Sequence, residues 1–291
     1  MVIDHIEKTG APVPESCIAR HTGDRIIVYK TVRDEALRLS YYYPPQHDMG
    51  ERRPVILMIH GGGWRSRKIF ADQTEWGGDH LGYLARHEAD RGFVAVSIDY
   101  RLADEHAQGE GRQLYDLYTD CCDATRYVIS HADEDGIDTD KVYLLGESAG
   151  GWLAGAVATF GDPTLPRFAK TFLYNAITDL SDELGWGAYV PKAPDGDPIA
   201  RLPLQERAAF LSPAQRISPD TGAVVLIHGT ADRCVDLAHT QRFYERMQQL
   251  GRPCILHRLA DTDHAFLLAE FTDDQAACRL GVRLLDETLD G

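Results

Sequence analysis

A serine hydroxyl becomes a useful nucleophile only beside a base, usually a histidine held by a carboxylate. This sequence offers all three residue types at spacings where such chemistry can assemble. The serine is Ser148, within Gly146-Glu147-Ser148-Ala149-Gly150, a G-x-S-x-G pattern directly after the apolar run Val142-Tyr143-Leu144-Leu145. A strand reversing into a helix within a few residues has no room for a Cβ at positions 146 and 150. The spacing therefore predicts a strained elbow that thrusts Ser148 out at a helix N-terminus, where unpaired N–H groups favour developing negative charge. Chance matches to this pattern are common in a chain with 26 glycines. The strand before it and the tightly packable Ala149-Gly150-Gly151-Trp152-Leu153-Ala154 after it argue against chance here.

Beyond the serine, Asp232 follows an apolar strand within His228-Gly229-Thr230-Ala231-Asp232, and His264 follows the last strand within Asp261-Thr262-Asp263-His264-Ala265-Phe266. Asp236 is the rival acid, although it lies deeper into the next helix start. His257 lies inside a strand and reads as a packing histidine, while Asp261 and Asp263 read as turn-forming. His264 must be neutral to take a proton from Ser148, so activity is expected to rise with pH through an imidazole titration near neutrality. The turn Gly61-Gly62-Gly63 allows close backbone approach without side chains, and the expected oxyanion donors are the N–H groups of Gly61, Gly62 and Ala149. A phosphate loop would need G-K-[ST], which Trp64-Arg65-Ser66 does not provide.

Elements bringing these loops to one edge are readable from the apolar runs. Residues 54–60, 93–99, 142–145, 169–175, 223–228 and 254–259 read as strands covered on both faces. Between them lie helical stretches at about 78–91, 114–130, 237–250 and 274–289, an alternation that predicts an α/β fold with a mostly parallel sheet and helices on both faces. Residues 25–32 and 36–43 read as an antiparallel hairpin ended by Pro44-Pro45. Residues 1–23 show no clear periodicity and are expected to form an N-terminal arm. Residues 176–222, with Trp186, Tyr189 and five prolines, are expected to form a small cap-like excursion over the carboxyl edge of a single domain spanning 1–291.

A chain of 291 residues can bury one large core, and a formal net charge of −15 excludes the basic footprint that nucleic acids and anionic membranes require. Neutral substrates fit best. The six cysteines are scattered without C-x-x-C spacing and read as reduced, and the 12 histidines contain no H-E-x-x-H, so no metal site is expected. The first residues lack a basic segment followed by an apolar run, and no stretch is long and apolar enough to span a bilayer, so the chain as given is expected to be cytoplasmic.

Taken together, His60-Gly-Gly-Gly-Trp64, Asp99-Tyr-Arg-Leu-Ala103, Gly146-Glu-Ser-Ala-Gly-Gly151, His228-Gly-Thr-Ala-Asp232 and Asp263-His-Ala-Phe266 resemble the hormone-sensitive-lipase-like and related bacterial esterases of the α/β-hydrolase superfamily. The resemblance covers about residues 36–289, and the order serine, acid, histidine is the one this fold carries. It implies an α/β-hydrolase fold, acyl-ester hydrolysis without metal or organic cofactor, and a buried pairing of Arg101 with Asp120. Lipase-like members generally carry a substantial N-terminal helical cap; here the segment before the hairpin is short.

The expected function is a serine carboxylesterase acting on short acyl esters, because a small excursion leaves little apolar surface for a long chain. Acetyl esters of carbohydrates or related small molecules are the first expectation, with Trp64, Trp152 and Trp186 as candidate flat faces for a sugar ring. Alternatives are feruloyl-type esters, an amidase or arylformamidase on the same triad, and a non-catalytic ligand-binding protein. The expected partner is a small-molecule or oligosaccharide ester, with no nucleic acid and no membrane. Monomer and homodimer both stay open.

Overall fold

The computed structural model describes residues 1–7, 22–66, 81–103, 114–181, 184, 202–264, 266–267 and 274–290. In chain order the described elements are β1 (Val2–His5), β2 (Arg25–Val32), β3 (Glu35–Tyr42), β4 (Arg53–Ile59), α1 (Gly82–Asp90), β5 (Val94–Ile98), α2 (Leu114–Ser130), β6 (Ile137–Glu147) and α3 (Ala149–Thr159). They continue with β7 (Lys170–Tyr174), α4 (Leu204–Phe210), β8 (Ala223–Gly229), α5 (Ala238–Gln249), β9 (Cys254–Leu259) and α6 (Gln275–Asp290). The strands form one sheet in the order β1-β9-β8-β7-β6-β4-β5-β3-β2. Only β2 and β3 run antiparallel to their neighbours; every other pairing among the described residues is parallel.

Strand β4 shows why the apolar runs lack alternation. Val55, Leu57 and Ile59 join the core layer that holds Leu117 of α2 and Trp152 of α3, while Ile56 and Met58 join the layer that holds Leu84 of α1 and Leu285 of α6. All five are completely buried. Successive side chains of a strand point to opposite faces, so a strand roofed by helices on both sides must be apolar throughout. Each such side chain contributes about 2 kcal/mol by leaving water.

The hairpin is as expected except that Glu35 pairs with Val32 across a tighter turn, where Arg33 takes a φ of 55°. Polar contacts fasten it to the sheet's helical layer: Lys30 Nζ donates to Asp120 at 2.7 Å and Asp123 at 2.6 Å, and the Tyr29 hydroxyl donates to the Asp99 carbonyl at 2.8 Å. Arg101 and Asp120 pair as the family resemblance implies, with Nε donating to Oδ2 at 2.7 Å and Nη2 to Oδ1 at 3.0 Å.

Two expectations change. The first residues are not simply an arm, because Val2–His5 lies parallel to β9 from Leu256 to Leu259. Val2-Ile3-Asp4-His5 has no apolar–polar alternation, and an edge strand needs none when side-chain pairs tie it down. Arg258 holds Asp4 at 2.6 and 2.8 Å, and the His5 and His257 rings meet at 2.9 Å. Within the excursion, α4 and a short 3-10 turn at Pro213–Gln215 are ordered parts, and the Leu211 carbonyl accepts the Trp152 indole N–H at 2.8 Å. Cys121, Cys122, Cys254 and Cys278 are buried thiols, and Cys234 is an exposed one. Among the described residues no helix is long and apolar enough to cross a membrane.

On the opposite face, α1 and α6 share a buried cluster of charges. Glu88 is wholly buried, accepts from Arg91 at 2.6 Å, and sits near Asp286, which receives Arg91 at 3.0 Å and lies 3.1 Å from His87 Nε2. Burial pushes the Glu88 carboxyl up to about 8, against the pull of Arg91 and with the help of Asp286. The folded state therefore holds a proton that the unfolded chain releases, so the contribution is full below the ordinary glutamate range and is lost as pH climbs toward 8. Glu88→Gln keeps the shape without the charge. It is expected to melt several degrees above the parent at about pH 9, with the gap closing by about pH 4. Equal melting curves at the alkaline end would refute a protonated Glu88.

Candidate active site

Ser148 stands alone between the end of β6 and the start of α3, at φ 54° and ψ −119°, a backbone region that L-residues rarely occupy. The glycines around it make this geometry reachable. A Cβ on Gly146 would run into the Gly150 carbonyl, and one on Gly150 would run into the carbonyls of Ile59 and His60. The helix thus sits against β6 and β4 with no side chain between, and the Ser148 N–H is anchored to the Tyr174 carbonyl at 2.9 Å.

His264 and Asp232 stand on the loops after β9 and β8. The Ser148 hydroxyl faces His264 Nε2 at 2.9 Å, and His264 Nδ1 faces Asp232 Oδ2 at 2.7 Å. With the neutral ring protonated on Nδ1, Ser148 donates to Nε2 and Nδ1 donates to the carboxylate. The two loops are laced together: Thr230 N–H donates to Leu259 O at 2.9 Å, Ala231 N–H to Thr262 O at 3.0 Å, and Arg233 N–H to Asp263 Oδ1 at 3.0 Å. Asp263 and Asp261, which adopts a φ of 50°, shape that turn as expected. Asp236 is spent on the start of α5, where it accepts the Ala238 N–H at 2.8 Å, and His257 packs against β1.

Asp232 is enclosed, with no side-chain exposure. Burial alone would raise its carboxyl, but hydrogen bonds from His228 and His264 and from the Val235 amide hold it far below the ordinary aspartate range. His228 was read from sequence only as a strand end. Its Nε2 lies 3.2 Å from Asp232 Oδ2 and 2.9 Å from the Val235 carbonyl, so it is the second imidazole on the acid. The signal was present in the i, i+4 spacing of His228 and Asp232. For His264, partial burial lowers the imidazole, yet its hydrogen bond to Asp232 and the charges of Glu147, Asp232 and Asp263 raise it above the ordinary value. The expected titration near neutrality moves upward accordingly.

Glu147, the middle residue before the serine, is the other group that sequence reasoning passed over. Its side chain is buried, and burial lifts its carboxyl to about 7, offset by His264 and by the Gly61 amide. That contact bears on which amides are free to receive an oxyanion. The Gly61 amide is turned to Glu147, and a Cβ on Gly61 would collide with Glu147 Oε2, so Gly61 walls the carboxylate. Gly62 and Gly63 are exposed, with φ of 99° and 61°, and a Cβ on Gly63 would meet nothing within 4 Å. Ala149 opens α3, where a helix leaves its first N–H groups without intrahelical partners.

Of the candidate sugar faces, Trp64 is 1% exposed and Trp152 0%, packed edge to face with centroids 5.9 Å apart. Their indole N–H groups bind the Ala149 and Leu211 carbonyls at 3.0 and 2.8 Å. Both therefore brace the elbow helix and present no ring to a ligand. Trp186 lies outside the described residues.

The sequence model of the alpha/beta hydrolase fold family matches residues 56–268. The probable carboxylic ester hydrolase LipM of Mycobacterium tuberculosis is 28% identical over 247 residues, covering 79% of this chain and 53% of LipM. Carboxylesterase NlhH of the same organism is 32% identical over 163 residues, covering 54% of this chain and 45% of NlhH. The chain spans about half the length of these curated relatives. Among solved structures, apo Thermogutta terrifontis esterase 2 superposes with a TM-score of 0.74 at 28% identity over 92% of this chain and 94% of that one. The propionate- and butyrate-bound forms of that esterase superpose with the same TM-score, 0.74. With a family model spanning most of its length and a hydrogen-bonded serine, histidine and aspartate on the loops where that fold carries them, this chain belongs to the alpha/beta hydrolase fold family.

Proposed function

We propose that this protein is a serine carboxylesterase for short-chain acyl esters, with acetyl esters of carbohydrates or related small molecules as its substrates. The observation that carries the reading is the unbroken relay from Ser148 Oγ through His264 to Asp232, at 2.9 and 2.7 Å, on a strained elbow. Ser148 Oγ attacks the acyl carbon as its proton passes to His264 Nε2, and Asp232 stabilises the imidazolium that forms. N–H groups of Gly62, Gly63 and Ala149 receive the oxyanion of the tetrahedral intermediate. Collapse releases the alcohol, protonated by His264, and a water activated by the same imidazole hydrolyses the acyl-enzyme.

Support for a short acyl group comes from esterase 2, which has been solved with propionate and with butyrate. Support for a neutral alcohol comes from the net charge of −15, which repels polyanions within about a Debye length. With Trp64 and Trp152 buried, the carbohydrate alcohol rests on that charge argument. The measurement is kcat/KM on acetyl against octanoyl p-nitrophenyl esters, then acetate release from acetylated xylo-oligosaccharides. The acetyl ester is expected to win, and an octanoyl preference would sink the short-acyl reading.

Ser148→Ala and His264→Ala are each expected to lower kcat by about a thousandfold or more while melting like the parent, since triad members act as a unit. Asp232→Asn should be severe and Asp236→Asn mild, because only Asp232 touches His264. Wild-type turnover by the Ser148 variant would end the mechanism.

The pH profile follows from the same contacts. His264 works as a base when neutral, so kcat/KM should rise through an apparent pKa above the ordinary imidazole value. Glu147→Gln removes one of the charges that raise it, and the rising limb should shift to lower pH. An unmoved limb would remove Glu147 from the electrostatics of the base.

A further inference from the structure

Away from Ser148, helices α2, α3 and α4 enclose a cleft of about 360 Å³. α3 begins at Ala149, and Phe160 closes its far end. At the rise of a helix, the cleft therefore lies about 18 Å from the serine. Four rings form a continuous wall: Tyr115 and Tyr118 are 5.4 Å apart, Tyr118 and Phe160 5.0 Å, Phe160 and Phe210 6.2 Å, and Phe210 and Tyr115 6.4 Å. Tyr115 is 37% exposed although two aromatic rings, Tyr118 and Phe210, lie beside it.

The charges in the cleft are asymmetric in their pairing. Its two carboxylates are already neutralised, Asp123 by Arg126 at 2.6 Å and Lys30 at 2.6 Å, and Asp162 by Arg126 at 2.5 Å. Arg216 has no carboxylate partner among the described residues. Its guanidinium lies 4.5 Å from the Phe210 centroid and 5.1 Å from that of Phe160, and donates only to two carbonyls, at 3.2 and 3.5 Å. That uses two of a guanidinium's five N–H donors, and they are held in a rigid planar fork.

We propose that this cleft is a binding site for a planar aromatic carboxylate, with the ring against Tyr115 and Phe210 and the carboxylate on Arg216. A cationic ligand is disfavoured because Arg216 already occupies the two phenyl faces it would seek. A neutral ring gains the stacking but leaves the unpaired guanidinium without an anion. The volume accommodates two fused rings bearing one carboxylate. The site is separate from the ester-hydrolysis reading and stands whether or not Ser148 is a nucleophile.

The test is equilibrium binding of 2-naphthoate to the full chain, with 2-naphthol as the neutral isostere. Wild-type protein is expected to bind the acid at least about tenfold more tightly than the alcohol, the worth of one charge-assisted contact. Arg216→Gln should weaken the acid by a similar factor, Arg216→Lys by less, and Tyr115→Ala by severalfold. His264→Ala, at the catalytic serine, should leave binding unchanged. Because Arg216 also packs on two rings, circular dichroism accompanies its variants; if Arg216→Gln is unfolded, Tyr115→Ala at an exposed position decides. Absence of binding at millimolar ligand, equal affinity for acid and alcohol, indifference to both positions, or loss on His264→Ala would each overturn the proposal.

Discussion

Helix α3 can begin where it does only because no side chain stands between its first turn and strands β4 and β6. Gly146 and Gly150 remove the two Cβ atoms that would collide with backbone carbonyls. Ser148 then occupies a conformation that costs about 1–3 kcal/mol. The packing that offsets this strain is local and dense: Trp152, Leu153 and Ala154 are completely buried one turn later, and Trp64 reaches back to the Ala149 carbonyl. A methyl inserted at either glycine would push the helix away from the sheet, and a displacement of about 1 Å is enough to spoil a near-attack geometry. His264 and Asp232 are set by separate loops, so nothing else in the fold would follow the serine.

Two carboxylates act on the same imidazole and are pushed in opposite directions from their ordinary range. Asp232 collects His264, His228 and the amides of Cys234 and Val235, and stays ionised despite being enclosed. Glu147 has the Gly61 amide as its backbone donor and is lifted to about 7. The number of donors each finds, more than depth of burial, separates them. Glu88 obeys the same rule on the other face of the sheet: one arginine is too little for a carboxyl that is wholly enclosed next to another acid.

Much of this was legible because it depends on local necessity. The run at 55–59 is apolar throughout because both faces are roofed, and Gly146 and Gly150 are fixed by a steric demand that only glycine meets. The relay of Ser148, Asp232 and His264 was legible because each follows a strand of the same direction. What escaped depends on pairing at a distance. β1 has no pattern of its own and exists because His5 and Asp4 find His257 and Arg258 some 250 residues away. The orientation of the Gly61 amide is decided by a glutamate on another strand, and the burial of Trp64 and Trp152 by each other and by Leu211. No spacing rule along the chain carries that information.

The same edge strand has a consequence for how the chain comes into being. β1 precedes every other described strand, yet among the described strands its neighbour in the sheet is β9, the last of them in chain order. During synthesis β1 emerges with its hydrogen-bonding edge open and waits for some 250 further residues before a template exists for it. β9 also leads directly into the loop that carries His264. Closure of the sheet over β1 and arrival of the imidazole at Ser148 are therefore near-simultaneous events in biosynthesis. A nascent chain released before residue 264 would have a formed elbow without the His264 imidazole, together with an unpaired β1 available to pair with another molecule.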